Sequence, residues 1–457
     1  MMMFAVVAIS SLIVALFTLE YRWRPAALGA AFFLRIAIPS YIGDVGVPGL
    51  LPSLHVSTTL ILSCGVVWTM ASRKLPYGTT ETAAPIPILW HVALGAVALG
   101  SIVSSESLNA MGSAAGLVLN QMVAPYLFCM LVYATSRQSA TFVRNAGRLF
   151  AIVCVFESMI AIMVYVQILP QPFISVNRVV GEWVDAGRHP ATLDHAITLG
   201  LLLVAGMLMT VYFRSRLTAI SALIIMMVGI YLTQSRIALA GAIAAIAYLF
   251  FAGSKSFGER MIMLFAVGAG FVILSTSELS EGVLSRIQDD AGSTSARMRA
   301  LQLFADNWTD FVVSGVGIER NKLYFNVNGL VSSGESAAIC YAVGIGIPLT
   351  LLYFFLIVWI IGHCVRHTGY LSPPSASAII VLVSIQFYSS IATESAAGLI
   401  LWSTIGVALA ATRPPSRITT HDTGPRPPSI SANNRSRSTS NSRGTDNNRH
   451  SNLSRLA

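Results

Sequence analysis

Three short segments of this chain carry residues whose chemistry packing does not explain. The first, Leu232-Thr233-Gln234-Ser235-Arg236, sets an arginine between two long apolar runs with no acidic residue beside it. A guanidinium there is costly unless it meets an anion, and its planar fork matches phosphate. The competing reading is a side chain that snorkels to lipid headgroups. The second segment holds Arg178, then Gly181 to Pro190, then Thr192, Asp194 and His195 at the mouth of an apolar run. Pro190 fits a helix start and Thr192 or Asp194 its first turn, which is capping and dipole chemistry. Arg188 and His189 are not needed for that. An anion at this helix start would meet converging positive potential from Arg188, and His189 is a candidate ligand or proton-transfer group. The third segment runs from Gly315-Val316-Gly317-Ile318-Glu319-Arg320 through Asn326 and Asn328 to Ser332-Ser333-Gly334-Glu335-Ser336. Glu335, at the mouth of another apolar helix, is either a helix-start dipole residue or a proton acceptor and cation partner. Glu394 has the same two readings, whereas Glu157, inside a span, reads as a partner in helix packing before it reads as a catalyst.

The elements that must position these groups follow from composition. Of 457 residues, 54% are hydrophobic and 11% charged, too few charges to dress a water-soluble globule. Runs such as 217–231 and 237–252 are almost uninterruptedly apolar, near the roughly 20 residues that cross a hydrocarbon core. Lipid offers the backbone no hydrogen-bond partners, and the runs lack the alternation of an outer-membrane barrel, so they are helices. The expected fold is all-α, a polytopic membrane protein of about twelve or thirteen spans. They lie near 2–19, 25–41, 55–71, 86–105, 112–134, 146–168, 191–213, 217–233, 236–252, 260–276, 335–362, 374–391 and 394–411.

Charge sets the expected orientation. Arg22 and Arg24, Arg73 and Lys74, Arg137, Arg144 and Arg148, Arg214 and Arg216, Lys255 and Arg260, and Arg366 fall on alternate connections, which the positive-inside bias makes cytoplasmic. The N-terminus is then outside and the C-terminus inside a plasma membrane. Outside lie the loop 169–190, the hairpin 233–236 and the long loop 277–334. A membrane domain 1–411 is followed by a tail, 412–457, rich in Ser, Asn and Arg, which reads as disordered and as an anchor near anionic headgroups. Much of the formal charge of +9 sits in that tail, so the charge does not argue for nucleic acid. The five cysteines have no paired spacing, which argues against a disulfide framework or a zinc site, and no cofactor is expected. On the long loop, Met298, Leu301, Phe304 and Trp308 recur at helical spacing, a stripe expected to pack on the membrane domain. The outward Arg286, Arg297 and Arg299 are expected to pair with loop acids such as Asp289, Asp290, Asp306 and Asp310.

Over roughly 140–411 the chain resembles the O-antigen ligase and O-antigen polymerase superfamily. The likeness rests on Arg188-His189-Pro190 entering a span, on Thr233-Gln234-Ser235-Arg236 before a small-residue helix with Ala238, Ala240 and Gly241, and on a long loop with Trp308. It extends to Ser314-Gly315-Val316-Gly317 and to Gly344-Ile345-Gly346-Ile347-Pro348. The resemblance implies a metal-independent, inverting glycosyltransferase taking a glycan from a polyprenyl pyrophosphate on the outer membrane face, for cell-surface polysaccharide assembly. Its implied partners are the lipid-linked oligosaccharide and membrane lipid, with a chain-length regulator or flippase beside it. Outward arginines would hold the pyrophosphate: Arg188 and Arg236, with Arg178 and Arg320. Glu335 or His189 would activate the acceptor. The chain departs from the family twice: Asn326, Asn328 and Ser332 to Glu335 stand where many ligases carry a histidine, and one extra residue separates Arg188 from Gly200 relative to some polymerases. The first departure favours polymerase over ligase.

A polysaccharide or anion transporter or flippase is the alternative, its arginines lining a path near the bilayer midplane. The unusual polar residues gather instead at one surface, and no repeat divides the spans into matching halves. A scaffold without catalysis leaves Arg188 and Arg236 unexplained.

Overall fold

A computed structural model gives the architecture and describes residues 2–47, 51–72, 86–105, 108–136, 139, 141–175, 184, 187–253, 260, 268, 291–330, 334–388, 390–392 and 395–412. The chain divides into units 1–415 and 416–457; the tail from 413, the span near 260–276, Arg178, Arg286 and Glu394 lie outside the described residues.

The first unit is a helical bundle. Its first half comprises α1 (Met2–Phe17), α2 (Arg24–Ala37), α3 (Val56–Ser72), α4 (Ile88–Val103), α5 (Leu108–Val118), α6 (Ala124–Ser136) and α7 (Phe142–Tyr165). A π-helical turn, Leu119–Val123, joins α5 to α6. The second half comprises α8 (Ala196–Met209), α9 (Arg216–Leu232), α10 (Arg236–Tyr248), α11 (Ala291–Asn307), α12 (Asn321–Val327), α13 (Ala337–Ile345), α14 (Ile347–Thr368), α15 (Pro373–Ser384) and α16 (Ala397–Ala411). Three stretches, Ala110–Ser136, Phe142–Tyr165 and Ile347–Thr368, are long and apolar enough to cross a membrane, and eight shorter apolar helices accompany them. Among the described residues these account for every expected span but the second. That one is helical as α2 but carries Arg24 and Arg35, both buried.

Helices α8 and α16 are apolar all round and buried along their whole length, so the rest of the bundle packs around them. The connections that carry Arg144, Arg148 and Arg214 share one end. Arg148 donates from Nε to the Tyr212 carbonyl at 2.5 Å, and the charges of Arg144 and Arg214 lie close by.

Three local expectations are corrected. An antiparallel hairpin, β1 (Asp44–Val47) with β2 (Leu51–His55), interrupts the all-helical pattern, with Asp44 opposite His55. The single span expected at 335–362 is two helices broken at Gly346, whose φ of +91° stops α13 while Pro348 starts α14. The stripe on α11 has the right period and the wrong face: Met298, Leu301 and Trp308 are half exposed or more, while Ala300 is buried and Phe304 stacks on Phe311 at 6.1 Å. Counting apolar residues misplaces this face because its inward row begins with a charged residue, Arg297, and continues through Ala300.

Candidate active site

The hairpin between α9 and α10 is built by its own side chains. Thr233 Oγ1 donates to the Ile230 carbonyl at 2.7 Å and accepts the Ser235 amide at 3.2 Å. Ser235 then N-caps α10, its hydroxyl accepting the Ala238 amide at 3.3 Å. Between them Gln234 takes φ +48°, a left-handed conformation that costs a non-glycine residue about 1–2 kcal/mol. The result is that Arg236 is the first residue of its helix, half-buried, in a turn with little freedom to move.

The segment before α8 is laid directly on this turn. The His189 amide donates to the Leu232 carbonyl at 3.0 Å, and Arg188 Nε donates to the Thr233 carbonyl at 3.2 Å. Gly187 takes φ +73°, a conformation that strains any residue with a β-carbon, and lies against the side-chain amide of Gln234. Two segments some 45 residues apart thus meet, with the Arg188 guanidinium bonded three positions before Arg236. Both Arg188 and His189 are more than nine-tenths buried.

Behind this segment, Glu157 acts as a clamp. Its carboxyl group accepts the Thr192 amide at 3.2 Å, and the Thr192 hydroxyl lies 2.8 and 2.9 Å from its two oxygens and 3.0 Å from the Ile36 carbonyl. Gln171 Nε2 donates to the Ala191 carbonyl at 2.6 Å, holding Ala191 at φ +55°. Asp194 accepts the Ser40 amide at 2.8 Å, and His195 caps α8 by accepting the Ile197 amide on Nδ1. Glu157→Ala would leave the buried Thr192 amide without an acceptor, at a cost of about 1–3 kcal/mol. Thermal unfolding of the purified variant should show the loss, and an unchanged midpoint would contradict the clamp.

The third segment arrives along α13. Val316 and Gly317 donate their amides to the Val343 and Gly344 carbonyls at 2.8 and 2.9 Å, so the two glycine motifs lie backbone against backbone. A β-carbon on Gly315 would collide with the carbonyl group of Gly344. Asn321 Nδ2 donates to the Cys340 carbonyl at 2.6 Å, tying α12 to the same helix. At the mouth of α13, Glu335 takes φ +51° and faces Arg297 of α11, Nε to Oε2 3.9 Å. Arg297 therefore faces Glu335, an acid not among those expected from sequence; Asp289 and Asp290 lie outside the described residues. Arg320 ends the turn Ile318–Arg320, half-buried, and its neighbour Glu319 accepts the Ser105 hydroxyl at 2.9 Å.

Sequence reasoning passed over the residue that links these segments. Tyr388 lies between α15 and α16; its ring packs on His195 with centroids 5.0 Å apart, and Asp194, Arg188 and Glu335 are within electrostatic reach of its hydroxyl. No charge or motif marks it. Arg35 was also passed over: it is 4% exposed and donates to the Ser395 carbonyl at 2.5 Å.

Three of the five non-glycine residues with positive φ among the described residues, Ala191, Gln234 and Glu335, belong to this region. Such strain persists where the surroundings over-determine the backbone, as they do at ligand sites. Two polar atoms here are buried without a well-formed hydrogen bond among the described residues: His189 Nδ1, and Thr198 Oγ1, which interacts with the Tyr388 hydroxyl. An orphaned polar atom costs about 1–3 kcal/mol unless a ligand or water satisfies it, so the pattern is that of a site for a polar molecule. Burial also holds the His189 pKa below the usual imidazole value, leaving the ring neutral and able to accept a proton.

Residues 221–354 match the family described as O-antigen ligase; the match includes Arg236, Arg320 and Glu335 and stops short of Arg188, His189 and Tyr388. No curated protein matches the chain. With the bundle and this region together, the chain is a helical membrane protein whose residues 221–354 are similar to the O-antigen ligase family.

Proposed function

We propose that this protein transfers a glycan from a polyprenyl pyrophosphate to a sugar hydroxyl at the non-cytoplasmic face of the plasma membrane. The observation that carries the reading is the seating of Arg188 on the hairpin that presents Arg236. As the bond between the anomeric carbon and the diphosphate oxygen breaks, negative charge builds on the leaving group. Two guanidiniums held by fixed backbone, in surroundings of lowered dielectric, stabilise that charge without reorganising. The incoming hydroxyl oxygen forms the new bond on the opposite face of the sugar, inverting it, and gives up its proton. Arginines supply the positive charge a metal ion would otherwise provide, so the reaction as written needs no metal. Arg320 and Arg178 would add to the anion-binding field.

His189 is the better suited of the two proton acceptors, because its Nδ1 has no partner whereas Glu335 already faces Arg297. Glu335 then keeps Arg297 and the loop end in register. This assignment has a pH signature. The His189 pKa is lowered, so the acceptor stays competent through neutral pH and is lost only as pH falls below the ordinary imidazole value of 6.5. The acidic limb of kcat/KM should lie below pH 6.5 and be absent from the residual activity of His189→Gln. An acidic limb unchanged in that variant would move the role to Glu335.

The deciding experiment is detergent-purified protein mixed with lipid-linked oligosaccharide from the membranes of its own host. New glycosidic bonds, seen as chain growth or transfer with release of polyprenyl pyrophosphate, support the enzyme. In proteoliposomes, movement of the glycan across the bilayer with no new bond would replace it with a transporter.

A further inference from the structure

The stretch between α15 and α16 is not helical where a simple span would be. Its described residues form two single turns, Ile385–Phe387 and Ser390–Ala392, with Tyr388 after the first of them in extended backbone (φ −158°, ψ 137°). In a membrane protein, irregular backbone at this depth is tolerated only where protein buries it or where it lines a polar cavity. Here it is both. From behind, three buried donors fix its carbonyls: Tyr341 Oη to Ile391 at 2.5 Å, Arg35 Nη2 to Ser395 at 2.5 Å and Gln121 Nε2 to Ser395 at 3.1 Å. Gln121 itself comes from the π-helical turn, an irregularity that often marks a functional position. In front, the segment presents Tyr388 to His195 and to the charged residues Arg188, Asp194 and Glu335. Beside the phenol, on the first turn of α8, lies the Thr198 hydroxyl, fully buried and within hydrogen-bonding reach of the Tyr388 hydroxyl, with no other close hydrogen bond among the described residues.

We infer that Tyr388 and Thr198 form a sugar-binding subsite, lying between the cation that holds the diphosphate and the carboxylate at the mouth of α13. The inference rests on the glycan-transfer reading and names the residues that grip the carbohydrate within it. The chemistry selects the ligand. Two neutral hydroxyls, each able to donate and accept, match the hydroxyls of a sugar ring, whereas a diphosphate is matched by guanidinium groups. Removing one such hydrogen bond from a buried site weakens recognition by about tenfold, because the ligand hydroxyl is left unsatisfied.

Tyr388→Phe keeps the ring against His195, and Thr198→Val keeps the volume of its side chain, so both spare the packing. The test measures, for wild type and each variant, the apparent KM for host lipid-linked oligosaccharide and the inhibition constant of inorganic pyrophosphate. Direct pyrophosphate binding by calorimetry accompanies them. The expected result is an apparent KM raised about tenfold in each variant, with pyrophosphate inhibition and binding unchanged. An unchanged KM in both variants overturns the subsite while leaving glycan transfer standing. A parallel loss of pyrophosphate binding also overturns it, since the hydroxyls would then serve the anion or the fold. Wild type that binds pyrophosphate yet forms no bond removes the transfer reading, and the subsite with it.

Discussion

Alanine at position 236 should lower glycan transfer by about two to three orders of magnitude, the range seen when one fixed donor to a developing oxyanion is removed. Arg236 is half-buried and opens α10, while the cap of that helix belongs to Ser235, so the fold should survive the change. Thermal unfolding within a degree or two of wild type, alongside the lost rate, would separate chemistry from collapse. Arg236→Lys keeps the charge and loses the fork, and should recover only part of the rate. Arg188→Ala should cost a similar factor in rate and some stability as well, because its Nε also ties the loop to the Thr233 carbonyl. The double variant should fall well short of the product of the two losses, since both side chains serve one leaving group. Initial rates with lipid-linked oligosaccharide measure all four. Wild-type turnover in both alanine variants would remove the diphosphate site.

The second large effect is expected far from any charge. Gly315→Val would thrust a branched side chain into the backbone of Gly344, where no neighbouring side chain can give way. Overpacking of side chains typically costs about 1–3 kcal/mol, and a clash between main chains should exceed that. The two hydrogen bonds from Val316 and Gly317 to α13 would be lost together, and with them the register that sets Glu335 opposite Arg297. The expected outcome is a protein that inserts but does not turn over, with a lowered unfolding midpoint and new protease cleavage in the 291–330 region. Glycan synthesis at the wild-type rate by Gly315→Val would show that the seam plays no part in holding the site.

The bundle was legible because lipid leaves the backbone no other choice: long apolar runs had to be helices, and alternating basic loops had to share an end. The Arg148 contact with Tyr212 agrees with that pairing of ends. Arg188 and Arg236 could be singled out for the same reason, since charge beside apolar runs demands a partner. What sequence did not give was the meeting between them, which depends on backbone donors and acceptors at residues 187–189 and 232–234 that any side chain could supply. Tyr388 was invisible because an aromatic in an apolar span is ordinarily packing, and only the break in the helix and the buried Thr198 hydroxyl beside it distinguish it. The stripe on α11 misled for a related reason: hydrophobic periodicity finds the apolar face, and beside a membrane that face need not point to the protein interior. The break at Gly346 was missed because glycine and proline are common in membrane helices and do not by themselves end one.

The bond from Arg35 to the Ser395 carbonyl joins residues 360 positions apart. A chain made at about 5–20 residues per second delivers the second partner tens of seconds after the first. Throughout that interval the growing polypeptide must keep a guanidinium in or near the bilayer without its final acceptor, at a cost of about 2.5–3.5 kcal/mol on the insertion scale if it sits at the centre. Maturation of this protein in the cell should therefore wait on the segment that carries Ser395. Truncation before Ser395 should yield a product removed by membrane quality control, not a smaller enzyme.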